Sequence, residues 1–361
     1  MQRRDAFPLI DGLRGIAAIA VFSIHWQAIS APWLLASSGY LAVDLFFLLS
    51  GIVIAHAYDD RIASGELNTV RFMLVRLIRF WPLYALGTLL AGALACMAIA
   101  TGRVGYYHSY RDVAASVALT LAFIPQRWSG ELFQLNVPYW SLLCELIANL
   151  VFALFWRRLS VPIMVMIVLA GAIGTIASGI VYGQLSGGGW WDTAHVGLTR
   201  VMFSFFLGVV IYRTVPRGGE TSQAIGLACA AALIVLFAIQ PGAWRAWYDL
   251  ICVLVVFPAI GVLVMRIGVS GPFARLFKAL GDASYGVYVL HLPMLIVVSA
   301  IATKAGRSAE AIGPMLFLAF CPALVVAVLA LDRWLDRPAR KWLAVRLGLQ
   351  GKRAAPDPEP L

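Results

Sequence analysis

The sequence predicts an all-α polytopic membrane protein, with about ten transmembrane helices, one short re-entrant or interfacial segment and both termini cytoplasmic. Three observations predict it. Of 361 residues, 61% are hydrophobic and 13% are charged, about half the charge of an average soluble domain, and the mean hydropathy is +0.84. Ten apolar runs approach the ~20 residues needed to cross a bilayer. The basic residues concentrate in alternate loops, the bias expected of cytoplasmic segments.

The runs occupy 9–29, 39–58, 80–100, 140–156, 161–182, 196–212, 223–240, 248–265, 284–302 and 313–331. An eleventh, Val113 to Ile124, is short. If it does not cross, 20 of the 28 Lys and Arg lie in inner segments and 6 in outer ones, with Arg14 and Arg200 inside spans. If it crosses, Arg157, Arg158 and the basic C-terminal segment move outside, against the bias. The non-crossing topology is therefore the expected one. The N-terminus resembles a signal peptide in having Arg3, Arg4 and the apolar Ile16 to Ile24. The Asp11-Gly12-Leu13-Arg14 stretch argues instead for a retained span. Residues 1–343 are expected to form the transmembrane domain, and 344–361, rich in proline and charge toward the end, a disordered cytoplasmic tail.

The net charge of +10 is spread over many short loops, which suits a membrane surface rather than nucleic acid. Cys96, Cys144, Cys229, Cys252 and Cys321 fall in apolar runs without CxxC spacing, so they read as buried hydrophobes, not as a disulfide framework or a metal site. There is no HExxH, GxSxG or Walker pattern.

Ionisable residues inside spans mark function, because they are costly in a bilayer. The first span carries Asp11, Arg14 and His25. Eleven residues at ~100° each return Arg14 and His25 to nearly one face, ~16 Å apart along the axis. His25, Asp44 and Glu145 each fall four or five residues from an outer span end, hence at a similar depth of ~6–8 Å. A carboxylate beside an imidazole suits general-base catalysis; interhelical hydrogen bonding that holds the bundle together is the alternative. At the inner end, Arg76 and Arg79 are i, i+3 neighbours on one helix face, and Arg14 lies near. Such a cluster suits a polyanion such as a nucleotide phosphate group; a positive-inside anchor is the alternative. Arg200 is expected to pair with a carboxylate. Tyr288 and His291 share a face of the ninth span, where a buried, satisfied histidine is the commoner outcome.

The stretches LIDGLRGIAAIAVFSIHW, GYLAVDLFFLLSGIVIA, VRLIRFWPLY, NVPYWSLLCEL, LGDASYGVYVLHLP and LDRWLDRPARKWL resemble the acyltransferase-3 family of integral membrane acyltransferases, over nearly the whole chain. The resemblance implies about ten spans in the bacterial inner membrane. It also implies transfer of an acyl group, acetyl by default, from cytoplasmic acyl-CoA to a hydroxyl of an extracytoplasmic sugar or related acceptor. It implies that His25 is catalytic and that Asp44 and Glu145 are supporting polar residues; that Asp44 or Glu145 orients His25 in the catalytic group is the expectation from their common depth. Arg14, Arg76 and Arg79 would handle acyl-CoA, and Asp11, Ser141, Tyr288 and His291 would be supporting polar residues. No metal is expected. The terminal segment departs from the family pattern in having Asp336, not glutamate, before Arg337-Pro338. No fused esterase-like domain is seen, so an extracytoplasmic partner protein would supply one where acceptor selection needs it. The reading from another class is a secondary transporter with a mid-membrane polar site; the DGLRG and WSLxxE patterns each occur once, without the paired repeat such proteins often show.

Overall fold

The computed structural model describes residues 7–26, 36–102, 106–304 and 309–349, which are helical throughout apart from turns and two isolated β-bridges. The helices are α1 (Pro8–Trp26), α2 (Ala42–Ala63), α3 (Thr69–Ala100), α4 (Tyr110–Leu121), α5 (Tyr139–Phe155), α6 (Val161–Tyr182), α7 (Ala194–Thr214), α8 (Gln223–Ala238), α9 (Arg245–Ile251), α10 (Phe257–Arg266), α11 (Gly271–Lys304), α12 (Ala309–Leu331) and α13 (Arg337–Arg346). Residues 27–29 of the expected first span and 350–361 of the expected tail lie outside the described residues. The beginning of that tail, up to Arg346, is helix.

Among the described residues nine helices are long and apolar enough to cross a bilayer, counting α9–α10 and α12–α13 as continuous rods. The remaining expected span, the seventh (223–240), corresponds to α8, which has 16 residues, or ~24 Å of rise. The eleventh apolar run corresponds to α4, with 12 residues; its ~18 Å falls short of a ~30 Å hydrocarbon core.

Local chemistry sets the ends and bends. The Asn68 side chain accepts from the Arg71 N–H at 2.9 Å and starts α3, and Ser109 and Ser222 cap α4 and α8 in the same way. Pro258 and Pro338 explain two π-helical turns, Cys252–Val256 and Asp332–Asp336. Each proline lacks an N–H and would press on the carbonyl four residues earlier, so the helix widens by one residue just before it. The second of these turns buries both Asp332 and Asp336.

Two close helix crossings position everything else. α1 packs most extensively on α11. A Cβ on Gly281 of α11 would overlap the Asp11 side chain, and one on Gly15 of α1 would overlap Leu280, so the backbones approach as only glycine allows. α2 and α7 cross at Gly51 and Gly208, each facing backbone of the other helix. These two helices run in the same direction, since Asp44 meets Arg200 and Asp59 meets Arg213. Four reversals join them through α3, α5 and α6, with no need for α4 to cross.

Candidate active site

A cavity lies among α1, α2, α3, α5 and α11, and its polar lining is Arg14, Ser50, Arg76, Arg79, Ser141, Glu145, Ser284, Tyr285 and Tyr288. Three cations therefore face one carboxylate. Arg76 and Arg79 both reach the cavity because the i, i+3 spacing on α3 puts them on one face. Phe80 lies 5.1 Å from the Arg76 guanidinium, and Tyr285 lies 5.1 Å from that of Arg79. Arg79 Nη1 is 3.8 Å from Asp336 Oδ2 at the π-helical turn.

Arg76 is almost wholly buried, at 3% exposed. Its Nη2 donates to Glu145 Oε1 at 3.0 Å, and Ser50 donates to the same oxygen at 2.5 Å. Its Nε and Nη1 have no hydrogen-bond partner. Buried guanidinium N–H groups are nearly always paired, so two bare donors beside a cavity call for an anionic ligand.

Tyr288 also lines this cavity, and its hydroxyl is 2.6 Å from Ser141 Oγ and donates to the Pro138 carbonyl at 3.0 Å. One helical turn further along α11 is His291, its ring 6.0 Å from that of Tyr288 and 4.9 Å from that of His25. His25 Nδ1 lies 2.8 Å from the Val21 carbonyl. A carbonyl only accepts, so Nδ1 carries the proton and Nε2 of the neutral ring is left with a lone pair. That tautomer is the one a general base needs.

The structure brings together Arg14, Arg76, Arg79, Glu145, Ser141 and Tyr288 around the cavity, and His25 with His291 outside its lining. It does not bring Asp44 or Glu145 onto His25 by hydrogen bonding. Asp44 accepts from Arg200 Nε at 3.0 Å and Nη2 at 2.6 Å, a bidentate pair with Asp44 0% and Arg200 1% exposed. Glu145 is held by Arg76 and Ser50. The expectation that a carboxylate orients His25 is corrected: the backbone of Val21, one turn earlier on the same helix, holds the ring. Asp11 lies outside the cavity lining and faces Gly281. Arg200 does pair with a carboxylate, as expected. Sequence reasoning missed Ser50 and the approach of Asp336 to Arg79; the first sits in an unremarkable LLSG stretch, and the second depends on the π-helical turn that Pro338 imposes. No group of three or more His, Cys, Asp or Glu among the described residues could hold a metal ion.

The acyltransferase-3 family, described as an acyltransferase domain, matches residues 7–333. The chain is similar to the exopolysaccharide production protein ExoZ of Rhizobium meliloti (strain 1021), 29% identical over 88% of this chain and 95% of the relative. It is similar to protein 2 in the picA locus of Rhizobium radiobacter, 33% identical over 47% of this chain and 92% of the relative. It also resembles the acyltransferase MdmB of Streptomyces mycarofaciens, 29% identical over 42% of this chain and 39% of the relative. No solved structure matches it. A family match that runs through α1, with His25, through the arginine pair of α3 and through Tyr288 and His291 of α11 makes this chain a member of the acyltransferase-3 family, and an acyltransferase.

Proposed function

We propose that this acyltransferase moves an acetyl group from cytoplasmic acetyl-CoA to a hydroxyl of an extracytoplasmic carbohydrate, with ten crossings, both termini cytoplasmic and the bacterial inner membrane as its location. The observation that carries the reading is that Arg76, with two bare, buried donors, lines one cavity together with Arg14 and Arg79. An acyl-CoA brings phosphates to such a site and a long, thin, largely uncharged arm to the narrow region beyond it. The similarity to a protein named for exopolysaccharide production supports a carbohydrate acceptor.

Arg14, Arg76 and Arg79 hold the phosphates. Ser141, Tyr288 and the apolar residues Phe46 and Phe47 line the same cavity, and the acyl arm would pass from it toward the histidines. His25 Nε2 takes the proton from the acceptor hydroxyl as its oxygen bonds to the acyl carbon. The carbon–sulfur bond breaks, and the proton returns from His25 to the departing thiolate, so the ring ends neutral. Val21 keeps the tautomer fixed throughout. Positioning both reactants in one passage supplies much of the acceleration.

The test is acyl transfer by purified protein in detergent, with labelled acetyl-CoA and envelope polysaccharide as acceptor. Labelled polysaccharide is the expected product, lost in His25→Ala. Wild-type rates in that variant would remove His25 from the chemistry.

A further inference from the structure

His291 poses a separate question. It is 0% exposed, its Nδ1 donates to the Tyr288 carbonyl at 2.7 Å with the Val287 carbonyl at 3.2 Å, and its Nε2 has no hydrogen-bond partner. Since Nδ1 carries the proton, Nε2 is a bare acceptor, and the same tautomer makes Nε2 of His25 an acceptor too. The two ring centroids lie 4.9 Å apart with the planes tilted by 56°, so two acceptor imidazoles are neighbours. The Phe22 ring lies 6.2 Å from that of His291 and packs in one aromatic cluster with Trp26, Phe317 and Phe320. Their only N–H, on Trp26, already donates to the Gly313 carbonyl at 3.2 Å. A metal would be a third way to use two imidazoles held from behind by carbonyls, but the described residues offer no third ligand nearby.

We infer that His25 and His291 form a two-point site for a vicinal diol: the hydroxyl to be acylated donates to His25 Nε2, and the adjacent hydroxyl donates to His291 Nε2. A lone hydroxyl carries one proton and satisfies one ring only. Two hydroxyls on neighbouring carbons satisfy both and fix which oxygen meets the acyl carbon. This inference rests on His25 being the general base, and it narrows the acceptor to uncharged polyols with adjacent free hydroxyls. His291 then sets specificity, and the aromatic walls exclude competing water from it.

The experiment compares acyl transfer from acetyl-CoA to propane-1,2-diol, propane-1,3-diol and propan-1-ol by the purified full-length protein. The wild type is expected to favour the 1,2-diol over the other two by about tenfold in kcat/KM, the worth of one hydrogen bond to a buried acceptor. His291→Gln, which keeps an acceptor oxygen, should retain much of that preference, and His291→Met, of similar length without one, should bring the ratio near one. Equal use of the three alcohols by wild type, as a water-filled site would give, overturns the inference alone, as does a preference that survives in His291→Met. Transfer to none of the three by a protein that acylates polysaccharide also overturns it. Transfer to neither polysaccharide nor alcohols overturns the general-base reading and this inference together.

Discussion

The two sides of the bundle treat buried charge in opposite ways. On the α2–α7 side two arginine–carboxylate pairs are fully matched. Asp44 and Arg200 form a bidentate pair, Arg200 Nη1 donates to the Gly187 carbonyl at 2.8 Å, and Tyr40 donates to Asp249, which also accepts from the Leu185 N–H at 2.8 Å. Arg213 repeats the pattern at the other end, with Asp59 and the Leu159 carbonyl. On the α1–α3–α11 side the matching is incomplete, with two bare donors on Arg76, a bare acceptor on His291 and further bare atoms on Asp336 and Arg340. Buried polar groups left unpaired cost free energy, so an unmatched set beside a cavity points to a ligand, and a matched set points to architecture. The same residue types, arginine and a carboxylate, do different work on the two sides.

The largest effect expected is on chemistry. His25→Ala should lower kcat by about 10²–10⁴-fold, the usual worth of a general base, with the acetyl-CoA saturation curve little changed; a raised KM at full kcat would move His25 to the binding side. Breaking the matched side should act on folding instead. Asp44→Ala leaves Arg200 buried and uncompensated, at a cost of about 3–5 kcal/mol, read as a lower thermal midpoint in detergent. Replacing both residues, as Asp44→Leu with Arg200→Met, should recover most of it. Loss of transfer per folded molecule in Asp44→Asn at unchanged stability would return Asp44 to the active side.

A smaller effect is expected where α1 meets α11. Gly281→Ala would push a methyl into Asp11 and cost about 1–3 kcal/mol by overpacking. α1 and α11 also carry His25 and His291, so shifting their crossing should lower transfer more than acetyl-CoA binding. Equal falls in both would mean that the crossing only supports the fold. The smallest change is predicted for Glu145→Gln. Glu145 pairs with Arg76 and, on the proposed function, would compete with phosphate for it, so its loss should tighten acetyl-CoA binding by about three- to tenfold, or ~1 kcal/mol. A collapse of kcat with unchanged binding would make Glu145 a participant in the chemistry.

The positions of the spans were legible because apolar length is a property of the chain alone. α8 is shorter than its apolar run, since that run continues past the helix end at Ala238 through Ile239. The i, i+3 arginines and the common face of Tyr288 and His291 were legible for the same reason: helical spacing is local. The partners of the carboxylates were not. Depth along a span can be counted from its end, but the direction in which Asp44 or Glu145 points depends on which helix packs beside it. Arg200 and Arg76 lie 156 and 69 residues away in the chain, and nothing local links them. His25 needed no carboxylate, since a backbone carbonyl on its own helix holds its tautomer, a possibility that side-chain patterns do not display.

The central claim is that the arginine-lined cavity holds the acyl donor. Titrating the purified protein with coenzyme A, by calorimetry, tests it most directly when wild type is compared with the Arg76→Gln, Arg79→Gln double variant at matched thermal stability. Saturable binding by wild type, weakened at least about tenfold in the double variant, is the predicted result. Superimposable titration curves would contradict it.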